Sequence, residues 1–257
     1  MGLALITGAS AGLGAEFAKL FADDGHDLIL VARRRGRLEE IARALEGIHR
    51  GRRVHVVEQD LGKPGAGAEL FAKVSAIGDI DFLVNNAGFA TSGTFGEIPL
   101  GKELELIDLN IRTLVELTHL FVGPMKKRGS GRILQVGSTA GFQPGPYMAN
   151  YYASKAFVVS FSEALAEELR GTGVTCTVLT PGATRTEFAG TAGLEQSRLF
   201  RAGAASAPEV ARAGYRGMQR GCVIVTPGLL NKLMVQALRV SPRAVARRLT
   251  GYLNREA

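Results

Sequence analysis

The sequence predicts an α/β protein with one doubly wound sheet of about seven parallel strands and helices on both faces. Short apolar runs typical of buried strands alternate with longer segments of helical periodicity, which favours parallel pairing through right-handed crossovers. The 257 residues are 46% hydrophobic, enough to bury a large core. The 33 glycines follow no collagen period and indicate turns that depend on glycine.

The alternation places each element in turn. Strands are predicted at 3–7, 27–32, 53–60, 81–88, 132–138, 174–182 and 222–228. Helices are predicted at 15–25, 37–47, near 65–77, 103–129, 151–171 and from Pro208 onward. No repeat or linker interrupts the pattern, so we expect one domain over residues 1–257. Such sheets bind ligands at the carboxyl ends of their strands, so the segments that follow the strands are the candidate site.

Charge and composition exclude several classes of protein. The net charge of +7 is concentrated in 33–53, with eight arginines and three glutamates, and in 198–257, with eleven basic and two acidic residues. No nucleic-acid-binding motif accompanies this charge, so no nucleic-acid partner is expected.

Two cysteines and four unclustered histidines predict neither disulfides nor a metal site. No signal peptide or apolar run of about 18 residues is visible, so we expect a cytoplasmic protein.

A glycine-rich turn follows the first strand. The segment TGASAGLG, Thr7 to Gly14, places Gly8, Gly12 and Gly14 immediately before a helix. Glycines allow the backbone to approach a pyrophosphate, and the helix N-terminus supplies free N–H groups. The Gly-Lys-Ser/Thr of a P-loop is absent. We interpret the turn as a dinucleotide site, and a turn that merely packs is the alternative.

The end of the second strand indicates which dinucleotide binds. NAD-binding sheets usually place an acidic residue here, on the ribose 2′-hydroxyl. This sequence has Ala32 followed by Arg33, Arg34 and Arg35. Fixed positive charge suits a 2′-phosphate, which predicts NADP(H), with Arg33 the first candidate ligand and Arg34 the second. The alternative is a solvated start of the next helix.

A tyrosine and a lysine four residues apart suggest proton chemistry. Tyr151 and Lys155 share one face of a predicted helix, and Ser138 ends the fifth strand. The ammonium group, together with an oxidised nicotinamide, favours phenolate and so is expected to lower the pKa of Tyr151 from about 10. Tyr151 could then act as a general acid towards a carbonyl.

These motifs, with NNAG at 85–88, resemble the short-chain dehydrogenase/reductase family over residues 3 to about 187. The resemblance implies a Rossmann-type sheet with Tyr151 as acid/base and Lys155 lowering its pKa and binding the nicotinamide ribose. It also implies that Ser138 polarises the substrate carbonyl and that Asn110 anchors a water in the proton relay. The cofactor-binding residues expected from the motifs and the resemblance are Gly8, Ser10, Gly12, Leu13, Gly14, Arg33, Arg34, Asp60, Leu61, Asn86, Ala87, Gly88, Tyr151, Lys155, Pro181, Gly182 and Thr184.

The expected activity is NADPH-dependent reduction of a ketone or aldehyde to an alcohol, reversible in principle. The alternative is a non-catalytic sensor or regulatory protein that binds NADP(H). The small-molecule substrate is expected to be hydrophobic, because Phe142, Pro144, Pro146 and Phe188 follow cleft-lining motifs. Tyr152 is expected to face away from the site, whereas Tyr147 could line the pocket. The resemblance further implies a homo-oligomer, a tetramer or a dimer, formed through the helices that carry Asn110 and Tyr151.

The C-terminal third contains two further segments. Residues 183–207, with scattered Gly and Ala, are predicted to form a substrate lid. Residues 229–257 form a basic amphipathic extension that Pro242 divides in two. Three interpretations stay open for this extension, in order of preference: a solvated basic face, a contact with a partner subunit, and peripheral contact with an anionic membrane.

Overall fold

A parallel sheet organises the protein in a computed structural model, which describes residues 2–49, 51–187 and 204–254. The strands in chain order are β1 (Leu3–Thr7), β2 (Asp27–Ala32), β3 (Val54–Glu58), β4 (Phe82–Asn85), β5 (Gly131–Val136), β6 (Val174–Leu179), β7 (Thr184–Arg185), β8 (Ala205–Ser206) and β9 (Ile224–Val225). Seven of them form one sheet in the order β3-β2-β1-β4-β5-β6-β9, with every neighbouring pair parallel. This confirms the predicted fold class. The fifth strand ends at Val136, two residues earlier than predicted.

Helices connect and cover the strands. They are α1 (Gly12–Asp23), α2 (Arg35–Ile48), α3 (Ala66–Val74), α4 (Leu100–Ile107), α5 (Leu114–Arg128), α6 (Ala149–Glu168), α7 (Ala207–Gln219), α8 (Leu229–Val240) and α9 (Arg243–Asn254). The long helix predicted at 103–129 is instead α4, a π-helical segment at Asp108–Thr113, and α5. Pro242 separates α8 from α9, as predicted, because proline cannot continue a helix.

Two apolar layers pack on opposite faces of the sheet. In β1, Ala4 and Ile6 lie in the cluster that includes α1, α2 and α7, whereas Leu5 lies in the cluster that includes α3 and α5. This alternation follows from the two-residue period of a strand. Strands buried on both faces explain why the sequence reads as continuous apolar runs.

The sheet order creates a crevice where the chain reverses direction. From β1 the chain builds outward to β2 and β3, then returns to place β4 on the other side of β1. Because all seven strands are parallel, their carboxyl ends meet along the same edge. The segments after β1, β4, β5 and β6 therefore converge at this switch point, where doubly wound sheets bind ligands.

The predicted lid lies only partly within the described residues. Thr184 and Arg185 of β7 pair in parallel with Ala205 and Ser206 of β8. Residues 188–203, which include Phe188, lie outside the described ranges. Within those ranges, none of the helices combines the length and the apolar character needed to cross a bilayer.

Candidate active site at the carboxyl ends of the strands

The glycine-rich turn packs closely against the segment that follows β4. Gly8 has a φ of 67°, and a Cβ there would lie 2.8 Å from Asn86 Nδ2 and 2.9 Å from Ala87 Cα. A Cβ at Gly14 would lie 2.3 Å from the carbonyl oxygen of Gly8. Glycine is therefore required at both positions.

Side-chain hydrogen bonds hold these two segments together. Asn86 Nδ2 donates to the carbonyl oxygens of Thr7, at 2.9 Å, and Gly8, at 3.2 Å. Thr7 Oγ1 accepts from the backbone N–H groups of Asn86 and Ala87, each at 3.0 Å. These bonds join the glycine-rich turn to the NNAG segment, two motifs that are far apart in the sequence.

The first turn of α1 leaves backbone donors available. Its N-cap is Ala11, which makes no side-chain capping hydrogen bond. Uncapped N–H groups and the positive end of the helix dipole suit a phosphate. The predicted ligand Leu13 is partly buried against the core, and Ser10 is buried in the turn beside it. The turn therefore has features that suit a pyrophosphate, and pyrophosphate binding there stays a prediction.

The two candidate arginines have different surroundings. Arg34 Nη2 donates to Ser10 Oγ at 3.0 Å and to Glu187 Oε2 at 2.8 Å. Arg33 Nη1 lies 3.6 Å from Glu105 Oε1, and its side chain is 68% exposed. Arg34, ranked second from the sequence, is thus the arginine that contacts the glycine-rich turn.

The segment after β3 completes one side of the crevice. Asp60 Oδ1 accepts from the backbone N–H of Gly62 at 3.1 Å. Leu61 is buried, and its carbonyl accepts from Thr113 Oγ1 at 2.7 Å. This bond connects Leu61, one of the expected cofactor-binding residues, to the π-helical segment. A Cβ at Gly88 would lie 2.9 Å from Asn110 Oδ1, so the NNAG segment also packs against it.

Ser138, Tyr151 and Lys155 are brought together by β5 and α6. The side chains of Tyr151 and Ser138 are hydrogen-bonded. Lys155 Nζ donates to the carbonyl of Val136 at 2.8 Å and lies 5.8 Å from the centroid of the Tyr151 ring. Tyr151 and Lys155 are 8% and 7% exposed, so both polar groups are held inside the crevice.

Burial perturbs both titratable groups. It raises the pKa of Tyr151 to about 12, although the side-chain hydrogen bond with Ser138 acts to lower it. It lowers the pKa of Lys155 to about 8. The expected lowering of the Tyr151 pKa is therefore wrong for the protein chain by itself, because desolvation of the phenolate outweighs the hydrogen bond with Ser138.

Asn110 links the crevice to the helix that carries the tyrosine. Its Nδ2 donates to the carbonyl of Phe89, at 3.0 Å, and to Ser154 Oγ, at 3.1 Å. Ser154 Oγ donates in turn to the carbonyl of Tyr151 at 2.7 Å. Asn110 lies in the π-helical segment, a conformation frequent at functional sites. Its predicted role of anchoring a water stays a prediction.

The segment after β6 lies beside Ser138. The carbonyl of Pro181 accepts from the backbone N–H of Thr139 at 2.9 Å and from Ser138 Oγ at 3.4 Å. Thr184 Oγ1 donates to the carbonyl of Gly182 at 3.0 Å. A Cβ at Gly182 would lie 2.6 Å from Asn231 Oδ1, which comes from α8. Pro181, one of the expected cofactor-binding residues, is thus adjacent to Ser138.

The two neighbouring tyrosines make polar contacts with other parts of the fold. Tyr152 OH donates to Asn254 Oδ1 of α9 at 3.1 Å, in agreement with its expected direction away from the site. Tyr147 has a φ of 67°, unusual for a residue with a side chain, and its carbonyl accepts from Gly93 N–H at 2.9 Å. Sequence reasoning missed Glu187, Asn231 and Asn254, because no local motif marks a contact made across the fold.

Comparison with known proteins places this crevice in a family. The family model described as short chain dehydrogenase matches residues 2–197, and the chain belongs to that family of oxidoreductases. The family uses nicotinamide dinucleotide cofactors and acts on alcohol or carbonyl groups.

Individual relatives are similar over almost the whole chain. Ketoacyl reductase HetN of Nostoc is 31% identical over 250 residues, which are 95% of this chain and 86% of the relative. A short-chain dehydrogenase from Sphingobium yanoikuyae, solved in complex with NADPH, is 33% identical with a TM-score of 0.83, covering 95% of this chain and 98% of that one. A Burkholderia phymatum short chain dehydrogenase/reductase, solved with NAD, is 26% identical with a TM-score of 0.82, covering 91% and 92%.

Proposed function

We propose that the protein is an NADPH-dependent reductase that converts a ketone or aldehyde to an alcohol and can catalyse the reverse oxidation. The observation that carries this proposal is the hydrogen bond between half-buried Ser138 and buried Tyr151, with Lys155 beside it, after the carboxyl end of β5. It supports the proposal because a phenol in this position can donate a proton beside the crevice that suits a dinucleotide. The reductase relative and the NADPH complex of a similar chain support the same assignment.

Each of the three residues has a distinct task. The cofactor supplies hydride to the carbonyl carbon. Tyr151 donates a proton to the carbonyl oxygen, and its pKa of about 12 keeps it protonated at neutral pH. Ser138 holds the same oxygen and sets its orientation. Hydride and proton together give the alcohol and leave a phenolate, which the nearby ammonium of Lys155 stabilises.

Arg34 is proposed as the main ligand of the 2′-phosphate, with Arg33 secondary. Ala32, at the end of β2, offers no carboxylate to repel the phosphate, and Arg34 already contacts the turn that suits the pyrophosphate. NADP(H) is therefore the proposed cofactor, with a selectivity over NAD(H) that comes from charge.

The proposed substrate is an apolar carbonyl compound. The proposal rests on Phe142, Pro144 and Pro146 in the loop after Ser138. A neighbouring cavity of about 250 Å³ has a mixed lining, in which Phe142, Ile224 and Val235 stand beside Thr226, Lys232, Gln236 and Arg239. Subunit association is proposed through α6, whose outer side carries the stacked pair Phe157 and Phe161, with Phe157 38% exposed. Light scattering of the purified chain measures the subunit number.

Replacement of Tyr151 tests the reaction. Tyr151→Phe should lower turnover by about 10²- to 10⁴-fold, because general acid catalysis is lost, while NADPH still binds. Stopped-flow assays with a panel of aliphatic and aromatic carbonyls give turnover, and NADPH fluorescence gives binding.

The matched control is Tyr152→Phe, which removes a buried hydroxyl from the next residue. It loses the bond to Asn254 and about 1 kcal/mol of stability, but should keep turnover. A Tyr151→Phe variant with unchanged turnover would contradict the mechanism. Wild-type protein that binds NADPH but reduces no carbonyl would instead favour the non-catalytic sensor.

A further inference from the structure

Exposed apolar side chains concentrate on the two C-terminal helices. Thirteen large apolar side chains are exposed among the described residues, and seven of them lie on α8 and α9. They are Leu229, Leu230, Leu233, Val240, Val245, Leu249 and Tyr252. Val240, Leu230 and Leu229 are 85%, 78% and 73% exposed. A soluble surface rarely gathers so many, and such concentrations mark interaction sites.

The charged side chains of the same two helices are all basic. Residues 229–254 contain Lys232, Arg239, Arg243, Arg247 and Arg248, and no aspartate or glutamate. All five cations are exposed. Within the described ranges none of them forms an ion pair with a carboxylate, unlike the arginines of α2. We call the exposed side chains of α8 and α9 the C-terminal surface.

The opposite side of α9 is firmly attached to the protein. Thr250 Oγ1 donates to Gln143 Oε1 at 3.1 Å, and Asn254 Nδ2 donates to the carbonyl of Pro146 at 3.0 Å. Asn254 also accepts from Tyr152. The buried positions of α9 follow a helical period and are Ala246, Thr250, Gly251 and Asn254. The exposed apolar and basic side chains therefore lie on the opposite face of the helix.

Charge complementarity selects the occupant of this surface. A second copy placed symmetrically here would bring five cations against five others, which is unfavourable. An anionic lipid surface offers negative charge to the arginines and an acyl boundary to the leucines. Apolar and basic residues lie close together in the sequence, as in Leu230, Lys232 and Leu233. This mixture suits the region of a bilayer where charged headgroups meet the acyl chains.

We propose that α8 and α9 dock the protein on the surface of an anionic lipid bilayer. This goes beyond the reductase activity and reverses the order of preference that the sequence suggested for this segment. The docked helices contact the loop between Ser138 and Tyr151, through Gln143 and Pro146. Docking therefore places the substrate side of the crevice near the lipid, where an apolar carbonyl compound concentrates.

Vesicle co-sedimentation of the full chain tests docking without relying on turnover. The wild-type protein should sediment with phosphatidylcholine–phosphatidylglycerol vesicles and stay in the supernatant with phosphatidylcholine alone. The combined variant Arg243→Ser, Arg247→Ser, Arg248→Ser should partition on the order of 100-fold more weakly, because each basic side chain near an anionic surface contributes about fivefold. Leu229→Ser, Leu230→Ser, Leu233→Ser should also weaken binding.

The matched control is Arg37→Ser, Lys126→Ser, Lys127→Ser, which removes the same charge from exposed sites elsewhere and should retain most binding. Circular dichroism confirms that each variant is folded. Equal losses for the control and the arginine variant would overturn the proposal in favour of general charge attraction. The docking proposal would also be overturned if the wild-type protein did not sediment with the anionic vesicles. A leucine variant with altered subunit number by light scattering would overturn it as well, since the surface would then be a protein interface.

Discussion

The Arg34 side chain contacts two different parts of the protein, and only one of them is part of the expected dinucleotide site. It contacts Ser10 in the glycine-rich turn and forms an ion pair with Glu187, at the start of the predicted lid. A 2′-phosphate bound by Arg34 must compete with the Glu187 carboxylate or displace it. The pair is about half exposed, so its contribution is small, about 0–1 kcal/mol.

Neutralising Glu187 should therefore improve NADPH binding. We expect Glu187→Gln to tighten NADPH about two- to fivefold and to leave NADH unchanged, because only NADPH carries the 2′-phosphate. Fluorescence titration with each cofactor measures the effect. Glu40→Gln, which breaks the similarly exposed pair with Arg37, is the control. Equal tightening of NADH would show that the effect is not directed at the phosphate.

Lys155 shows that a residue placed for chemistry can destabilise the fold. Its pKa falls from 10.5 to about 8 on burial, so between these values the unfolded chain binds more protons than the folded protein. The free energy of unfolding therefore increases, because of Lys155, as the pH increases from 8 to 10.5. Below pH 8 the folded protein carries the full cost of a buried ammonium group.

Lys155→Met should be inactive and yet more stable. At pH 7 we expect a gain of about 1–3 kcal/mol in the free energy of unfolding, reduced by the lost bond to the Val136 carbonyl. The gain should shrink as the pH rises through 8 towards 10.5. Urea denaturation at several pH values measures it. Lys126→Met, at an exposed site, should show no such trend. A gain independent of pH would refute a charged Lys155.

At the scale of elements, the crevice depends on how closely the turn after β1 approaches the segment after β4. Gly14 lies in the first turn of α1, against the Gly8 carbonyl, and Asn86 bridges both segments. The sequence identified these glycines because the turn is local. The bridging role of Asn86 depends on β4 lying beside β1, which only the topology establishes.

Two glycine substitutions in different helices should have opposite effects. Gly14→Ala places a methyl group 2.3 Å from backbone and should cost about 1–3 kcal/mol and weaken NADPH binding. Gly47→Ala, inside α2 with no atom within 4 Å, should stabilise the protein by about 0.5–1 kcal/mol and leave binding unchanged. Urea denaturation and NADPH titration compare the two. A Gly14→Ala variant with wild-type affinity would mean that the turn tolerates displacement.

At the scale of the whole molecule, the sequence predicts best what is local and periodic. The parallel sheet followed from apolar runs such as 3–7 and 27–32, and the candidate site from motifs placed after them. The raised pKa of Tyr151 did not follow, because desolvation depends on every element packed around the phenol. The position of Glu187 beside Arg34 depends on chain segments far apart in sequence. The packing of α9 on Gln143 and Pro146 likewise joins residues more than a hundred positions apart.

The packing of α9 also has an evolutionary consequence. This helix contacts the loop beside the reacting groups through Gln143 and Pro146, yet none of its described hydrogen bonds reaches Ser138, Lys155 or the glycine-rich turn. Mutations in α9 can therefore alter the shape of the substrate end while the proton donor and the dinucleotide crevice stay intact. For a reductase of the proposed kind, substitutions in α9 are therefore a route by which related chains can differ in substrate preference.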